Sequence, residues 1–350
     1  LVDVDFLKLR RSFNMLKDLA MWSHKLKDGL QIAHDFVHTN KGQLPKNIKK
    51  IAFVGMGGSG IAGRIIKSIL DKKYDIPSFI IDSPDIPEYV DTDTLAIVIS
   101  YSGNTWETLD ALKALSEKFI PTIVIAHGGK AIELAEHKNI PFILAPESSQ
   151  PRAALGSFLG IILGVFGLLD IMPDGQDLVK SFAHMADLHI PKLEDQAYFN
   201  EFIEAIKSYE FVHVWGVSGD SAAFAYRAQT QFNENSKIQA VTSAFPECCH
   251  NLLLGFTDCK LKPFIIFFYS DFLSAHLNIA IQSTCEILKE QGVVLYKPPV
   301  LGDNWEEQLF YMILWSDFAS YYLGQKRGVD IAPVKLIDKL KAKHAQKGIK

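Results

Sequence analysis

Short apolar runs alternate with amphipathic stretches along most of this chain. Between Lys50 and Pro146 the runs fall at 51–54, 79–81, 95–99, 122–126 and 142–145. Runs of Val and Ile without polar alternation belong to strands buried on both faces, and helical segments of about ten to fifteen residues between them make parallel crossovers. The pattern predicts a doubly wound, parallel α/β sheet with one or two amphipathic helices ahead of it. Beyond the last run, residues 153–169 carry no charge and place glycines at 156, 160 and 164. That stretch falls short of the roughly 20 residues that cross a bilayer. It predicts a buried helix whose glycine stripe lets a neighbour approach closely.

The rhythm then restarts, with apolar runs at 211–215, 262–269 and 293–296. Gly55-Met56-Gly57-Gly58-Ser59-Gly60, closing the first strand of the first half, has a counterpart in Gly216-Val217-Ser218-Gly219-Asp220-Ser221. The second half therefore reads as a diverged copy. Met172-Pro173-Asp174-Gly175 is the turn expected to separate them, giving domains at 1–172 and 173–350. Two such sheets place a crevice between them, and ligands of open α/β sheets sit beyond the carboxyl ends of strands.

The most telling chemistry is the run Ser100-Tyr101-Ser102-Gly103-Asn104-Thr105, between an apolar strand and an amphipathic segment that begins at Trp106. A strand that stops in a hydroxyl-rich turn and restarts as a helix aims backbone N–H groups and the positive end of the helix dipole at one spot, which suits a dianion. A nucleotide P-loop would place Gly-Lys-Ser/Thr here; only neutral donors are present, enough for one terminal phosphoryl group. A small phosphorylated metabolite is the expected ligand. Gly55, Gly57 and Gly60 also satisfy G-x-G-x-x-G, with Asp82 closing the next strand, so a Rossmann-type NAD(P) site is the competing reading. Against it stand Ser59 at the helix entry and the second hydroxyl-rich loop, where a dinucleotide needs apolar surfaces.

Composition narrows the classes. Of 350 residues 48% are hydrophobic and 22% charged, and the net charge of −4 gives no electrostatic case for nucleic acid. Cys248, Cys249, Cys259 and Cys285 form no C-x-x-C pair, which favours reduced, cytoplasmic thiols over a metal site. The first forty residues carry charges throughout and lack the order of a secretory signal. Because the chain starts at Leu1, a few native residues are expected to precede it.

Five segments occur in a telling order: Gly57-Gly58-Ser59-Gly60, the 100–105 loop, Pro151-Arg152-Ala153-Ala154-Leu155, residues 232–238 with Asn233-Glu234-Asn235, and Pro246-Glu247-Cys248-Cys249-His250-Asn251. Over residues 50–345 the chain resembles the bifunctional phosphoglucose/phosphomannose isomerase family, built from two sugar-isomerase (SIS) domains. The resemblance implies that Gly58, Ser59, Ser100, Ser102 and Thr105 bind substrate phosphate, with Pro151 at the substrate. It implies Glu234 as the base that moves a proton between C1 and C2 through a cis-enediolate, Arg152 as the partner of the developing charge, and His250 and Lys341 for ring opening. It further implies a homodimer with His250 donated in trans, and no metal or organic cofactor. Glucose 6-phosphate and fructose 6-phosphate are the implied substrates. Mannose 6-phosphate is left open, because Ala332-Pro333 stands where the family usually has Thr-Pro.

Independently of the resemblance, an aldose-ketose isomerisation needs a carboxylate that can take and return a proton. Glu234 lies on a polar stripe with Arg227, Thr230 and Gln231 at the end of a predicted helix. In the last helix Lys335, Lys339 and Lys343 recur on one face, whereas Lys341 shares a stripe with Val334 and Ile337 and is expected to point inward. The basic tail at 335–350 reads as a solvated face. A sugar-phosphate-binding regulator without turnover is the non-enzymatic alternative.

Overall fold

In the computed structural model, residues 14–257 and 259–348 are described; the outer ends of the expected domains, at 1 and 350, and the last two residues of the basic tail lie outside them. The fold is α/β with two parallel sheets. The chain forms two compact units. One comprises Met21–His184 with the described residues from Pro333 onward; the other comprises Met185–Ala332 with Ala20 and the described residues before it.

The first unit carries α1 (Trp22–Asn40), β1 (Lys50–Val54), α2 (Gly57–Lys73), β2 (Ser78–Ile81), β3 (Thr94–Ile99), α3 (Trp106–Glu117), β4 (Thr122–Ala126), α4 (Lys130–His137), β5 (Phe142–Leu144) and α5 (Leu155–Leu168). Its strands lie in the order β2-β1-β3-β4-β5, all parallel. All five apolar runs became strands. β1, β3 and β4 have almost no exposed residue, as expected of strands covered on both faces.

The uncharged helix α5 is buried, and the reason for its glycines is visible. A Cβ on Gly160 would sit 2.4 Å from the Leu26 carbonyl oxygen of α1, and one on Gly164 would sit 2.7 Å from Ala33 Cβ. The stripe lets the α1 and α5 backbones touch, and Lys25 Nζ of α1 donates to Ala153 O at 2.7 Å.

The expected boundary at Met172-Pro173-Asp174-Gly175 needs correction. That turn is a corner within the first unit: Lys73 Nζ and the Tyr74 hydroxyl both donate to Asp174, the former at 2.7 Å. A Cβ on Gly175 would lie 2.4 Å from Leu163 O. The division falls instead between His184 and Met185, inside α6 (Gly175–Leu193). A Pro/Gly turn marks a change of direction, and only packing decides whether it also separates cores.

The second unit carries α7 (Asn200–Ile206), β6 (Phe211–Val217), α8 (Ala222–Gln231), β7 (Gln239–Phe245), β8 (Phe264–Phe267), α9 (Ala275–Glu290), β9 (Val294–Tyr296) and α10 (Trp305–Lys326); α11 (Lys335–Gln346) groups with the first unit. Its order β7-β6-β8-β9 repeats that of the first four strands of the other sheet, as a diverged copy should. The sequence pattern missed β7, whose QAVTSAF has few branched apolar residues, yet it pairs with β6 along its whole length.

Inside β6, His213 is 9% exposed and lies against the rings of Phe211 and Phe256. Its Nδ1 is buried with no partner among the described residues, and burial pushes its pKa below the ordinary value.

Two predictions follow from this packing. Gly160→Val forces α1 and α5 apart and costs about 3 kcal/mol, read by chemical denaturation; a loss under about 0.5 kcal/mol would contradict the packing account. A histidine with a depressed native pKa binds protons more readily in the unfolded chain, so its contribution to stability is complete above about pH 6.5 and drains away as the pH falls through the native pKa. His213→Leu should flatten that part of the stability profile between pH 7 and 5; an unchanged slope would show that the imidazole does not contribute.

Candidate active site

The glycine-rich and hydroxyl-rich loops of the first unit follow neighbouring strands, β1 and β3, and are bonded to each other. The Tyr101 N–H donates to Ser59 Oγ at 3.0 Å. Neither following helix has a side-chain cap: the residues preceding α2 and α3, Met56 and Thr105, are extended and give no capping hydrogen bond. Two helix N-termini are thus left with backbone donors to offer. Ser100 is 2% exposed, and its Oγ is buried with no partner among the described residues. Ser102 is exposed, and its Oγ accepts from the Asn104 N–H at 3.3 Å.

The second loop is braced from both sides. Gly103 has φ +63°, and a Cβ there would strike the Gly128 carbonyl. The Tyr101 ring stacks on His127 at 5.2 Å, and its hydroxyl accepts from the Ser148 N–H at 2.6 Å. Gly58 faces Arg152, whose Cα lies 3.5 Å from where a Cβ would stand. Arg152 is 2% exposed, in the 3-10 turn Pro151–Ala154 that enters α5, and donates from Nη1 to Gln150 Oε1 at 3.3 Å. Pro151 is exposed. Ser59, Ser100, Gly58 and Arg152 are therefore brought together in one unit. Asp82, the residue a dinucleotide reading would place on ribose, is paired with Arg64 at 2.5 Å.

The equivalent loop of the second unit is filled from within. Asp220, 3% exposed, accepts from the Ser270 N–H at 3.0 Å, from Ser270 Oγ at 2.6 Å and from Trp305 Nε1 at 2.8 Å. A carboxylate of the chain itself thus takes the Ser270 and Trp305 donors there, whereas the two helices that follow the first unit's loops have no side-chain cap.

Glu234 sits in a π-helical turn, Phe232–Ser236, that ends α8. Its neighbours explain the Asn-Glu-Asn pattern. Asn233 imitates a strand partner: its Nδ2 donates to Ala240 O at 3.0 Å, and its Oδ1 accepts from the Ala240 N–H at 2.8 Å. On the other side Asn235 Nδ2 donates to Ser320 Oγ of α10 at 3.0 Å, and Ser236 Oγ donates to Ser320 O at 2.6 Å. The expected polar stripe is not a solvated one. Arg227 and Gln231 are fully buried because both donate to Asp317 of α10, Arg227 through Nε and Nη2 and Gln231 through Nε2.

His250 is exposed in a 3-10 turn, Glu247–His250, after β7. The Glu234 turn precedes β7, at its amino end, and His250 follows its carboxyl end. Seven strand residues separate them, about 20 Å at ~3.3 Å per residue. Glu234 therefore does not lie beyond a carboxyl strand end, as the general rule for α/β sheets had suggested.

Beside His250, the Cys248 thiol donates to Cys249 and draws its pKa down to about 7, and Thr284 Oγ1 lies 3.8 Å from its sulfur. Among the described residues no group of three or more His, Cys, Asp or Glu side chains is placed to hold a metal ion.

Lys341 requires correction. It is exposed, and α11 has no buried residue at all; Leu336, Ile337 and Leu340 are exposed too. Periodicity identified an apolar face but could not tell whether anything in the chain covers it.

The fold resembles that of a hypothetical protein from Thermus thermophilus, with a TM-score of 0.72 at 15% identity, covering 97% of this chain and 94% of that one. Residues 46–158 match the SIS domain family, and residues 200–343 match the bacterial phospho-glucose isomerase C-terminal SIS domain. The class is thus that of SIS sugar-phosphate isomerases. The bifunctional phosphoglucose/phosphomannose isomerase of Thermoplasma volcanium is 34% identical over 83% of this chain and 90% of its own, and that of Thermoplasma acidophilum 33% identical over 83% and 88%. The chain belongs to the bifunctional phosphoglucose/phosphomannose isomerase family.

The loop geometry makes a direct prediction. Ser100→Ala combined with Thr105→Ala should weaken binding of inorganic phosphate or a sugar phosphate about tenfold or more, measured by calorimetry, without unfolding the protein. Unaltered affinity would place the anion elsewhere.

Proposed function

We propose that this protein interconverts glucose 6-phosphate and fructose 6-phosphate, with mannose 6-phosphate as a further substrate to be tested. The observation that carries the reading is the pair of hydroxyl-bearing loops in the first unit, tied through Ser59 and Tyr101 and backed by Arg152. Such a cradle suits the single phosphoryl group of a monophosphorylated sugar. Ser59, Ser100, Ser102 and Thr105 hold the phosphate, Gly58 keeps the backbone close, and Pro151 borders the substrate.

At the reacting end, Glu234 removes the C2 proton of the open-chain aldose and returns it to C1. The excess charge spreads over the O1–C1–C2–O2 enediolate, and Arg152 offsets it. Fixing the phosphate confines the sugar, so most of the binding energy serves to orient C1 and C2 toward the base. His250 and Lys341 act in ring opening, one taking the anomeric hydroxyl proton and one protonating the ring oxygen. No electron acceptor enters this balance: Glu234 takes the proton from C2 and delivers a proton to C1, while the O2 hydroxyl proton passes to O1.

The separation of Glu234 from His250 along β7 supports a homodimer. A hexose phosphate is much shorter than about 20 Å of strand, so the histidine that serves one Glu234 comes from a second copy. The exposed position of Lys341 is compatible with the same arrangement. Free, unpaired cysteines favour a cytoplasmic setting.

Incubation with fructose 6-phosphate, with products resolved by NMR, should yield glucose 6-phosphate. The Glu234→Gln and His250→Ala proteins should each be inactive, while a mixture refolded together regains up to about a quarter of wild-type activity, the share expected from random pairing and one intact site in two. Absence of any aldose product rejects the enzyme and favours the sugar-phosphate-binding regulator; absence of complementation rejects donation in trans.

A further inference from the structure

One face of α10, continued by its C-cap Arg327, meets the end of α8 and the Glu234 turn that follows it. Asp317 binds Arg227 and Gln231 just before the turn, with Gln231 Nε2 2.8 Å from Asp317 Oδ1. Ser320 takes both Asn235 Nδ2 and Ser236 Oγ. Gly324 lies directly under the turn: a Cβ there would stand 2.5 Å from Asn235 O. Arg327 Nε donates to Ser236 O at 3.1 Å. Spacings of three and four residues put these on one stripe of the helix. Asp317, Ser320, Asn235 and Ser236 are all fully buried, so little water is available to replace a lost bond.

Gly324 stands in the last turn of α10, where any side chain would meet the Asn235 carbonyl of the π-helical turn. Serine at 320 is a weak helix former that spends its hydroxyl and its carbonyl on the two residues following Glu234. π-helical turns place side chains out of step with the α-helix before them, so such a turn keeps its shape only if something outside it holds it.

We propose that the Asp317, Ser320 and Gly324 stripe of α10, together with its C-cap Arg327, is a positioning rail that sets where the Glu234 carboxylate stands relative to the sugar. The inference rests on Glu234 being the base. None of the four is assigned contact with substrate; they act through the turn. Ser320→Ala removes the acceptor of Asn235 while leaving the helix intact. Gly324→Ala keeps every hydrogen bond but pushes the turn by roughly an ångström, a displacement that costs about 100-fold in rate when it separates a reacting pair.

The test is steady-state kinetics of Ser320→Ala and Gly324→Ala on fructose 6-phosphate, beside thermal melts and Glu234→Gln as reference. The expected result is a fall in kcat of about 10- to 100-fold, with KM within about threefold and a melting temperature close to that of the wild type for Ser320→Ala. A kcat within about twofold of wild type in both variants, with Glu234→Gln inactive, overturns the rail and leaves the base assignment standing. A fully active Glu234→Gln overturns the base assignment and the rail with it. Losses shared equally by KM and kcat, or matched by loss of folded protein in both variants, mean plain scaffolding and also overturn it.

Discussion

The second unit depends on one interaction, the bidentate pairing of Arg227 with Asp317. Both residues are essentially without solvent contact, and the guanidinium engages both carboxylate oxygens. A buried pair of this kind does not by itself make a protein more stable than a well-packed apolar substitute would, but removing one partner strands a charge and costs about 3 to 5 kcal/mol. What it confers is a fixed geometry. It locks α8 against α10 in a single register, and the turn carrying Glu234 begins where α8 ends. The neighbouring bonds of Asn233, Asn235 and Ser236 then hold that turn against β7 and α10 together.

The repeated strand order in the two sheets shows how one architecture is put to different use. In the first unit the loops after β1 and β3 meet through a serine hydroxyl and a backbone N–H, and leave helix N-termini without side-chain caps. In the second unit the corresponding loops meet through the Asp220 carboxylate, which absorbs two donors from Ser270 and one from Trp305. The same topology thus gives one pair of loops whose helices lack side-chain caps and one pair bridged by an internal carboxylate. The second unit carries instead the Glu234 turn, hydrogen-bonded through its neighbours on both sides, at the amino end of a strand, and the exposed His250 after its carboxyl end.

Much of this was legible in the sequence, and the exceptions have physical causes. Long Val/Ile runs identify buried strands because few other environments tolerate them, so the first sheet could be read in full. β7 could not, since Ala, Ser and Thr carry little burial signal and the strand owes its place to pairing with β6. The candidate residues could be picked out by type and order, but their surroundings could not. The burial of Arg227 and Gln231 depends on Asp317, about ninety residues away in sequence, and no periodicity reveals such a partner. The inward Lys341 and the 172/173 boundary failed for a common reason: local pattern fixes the shape of a segment, while tertiary packing decides what covers it.

The central claim is that a clamped Glu234 carries out the proton transfer. The most direct measurement follows the fate of deuterium placed at C2 of glucose 6-phosphate, by NMR, with wild-type protein and with Glu234→Gln shown by calorimetry to bind the sugar phosphate. The account predicts that wild-type protein removes the label from C2, delivering it to C1 or to solvent, and that Glu234→Gln leaves it in place. Loss of label from C2 at the wild-type rate in Glu234→Gln would contradict it.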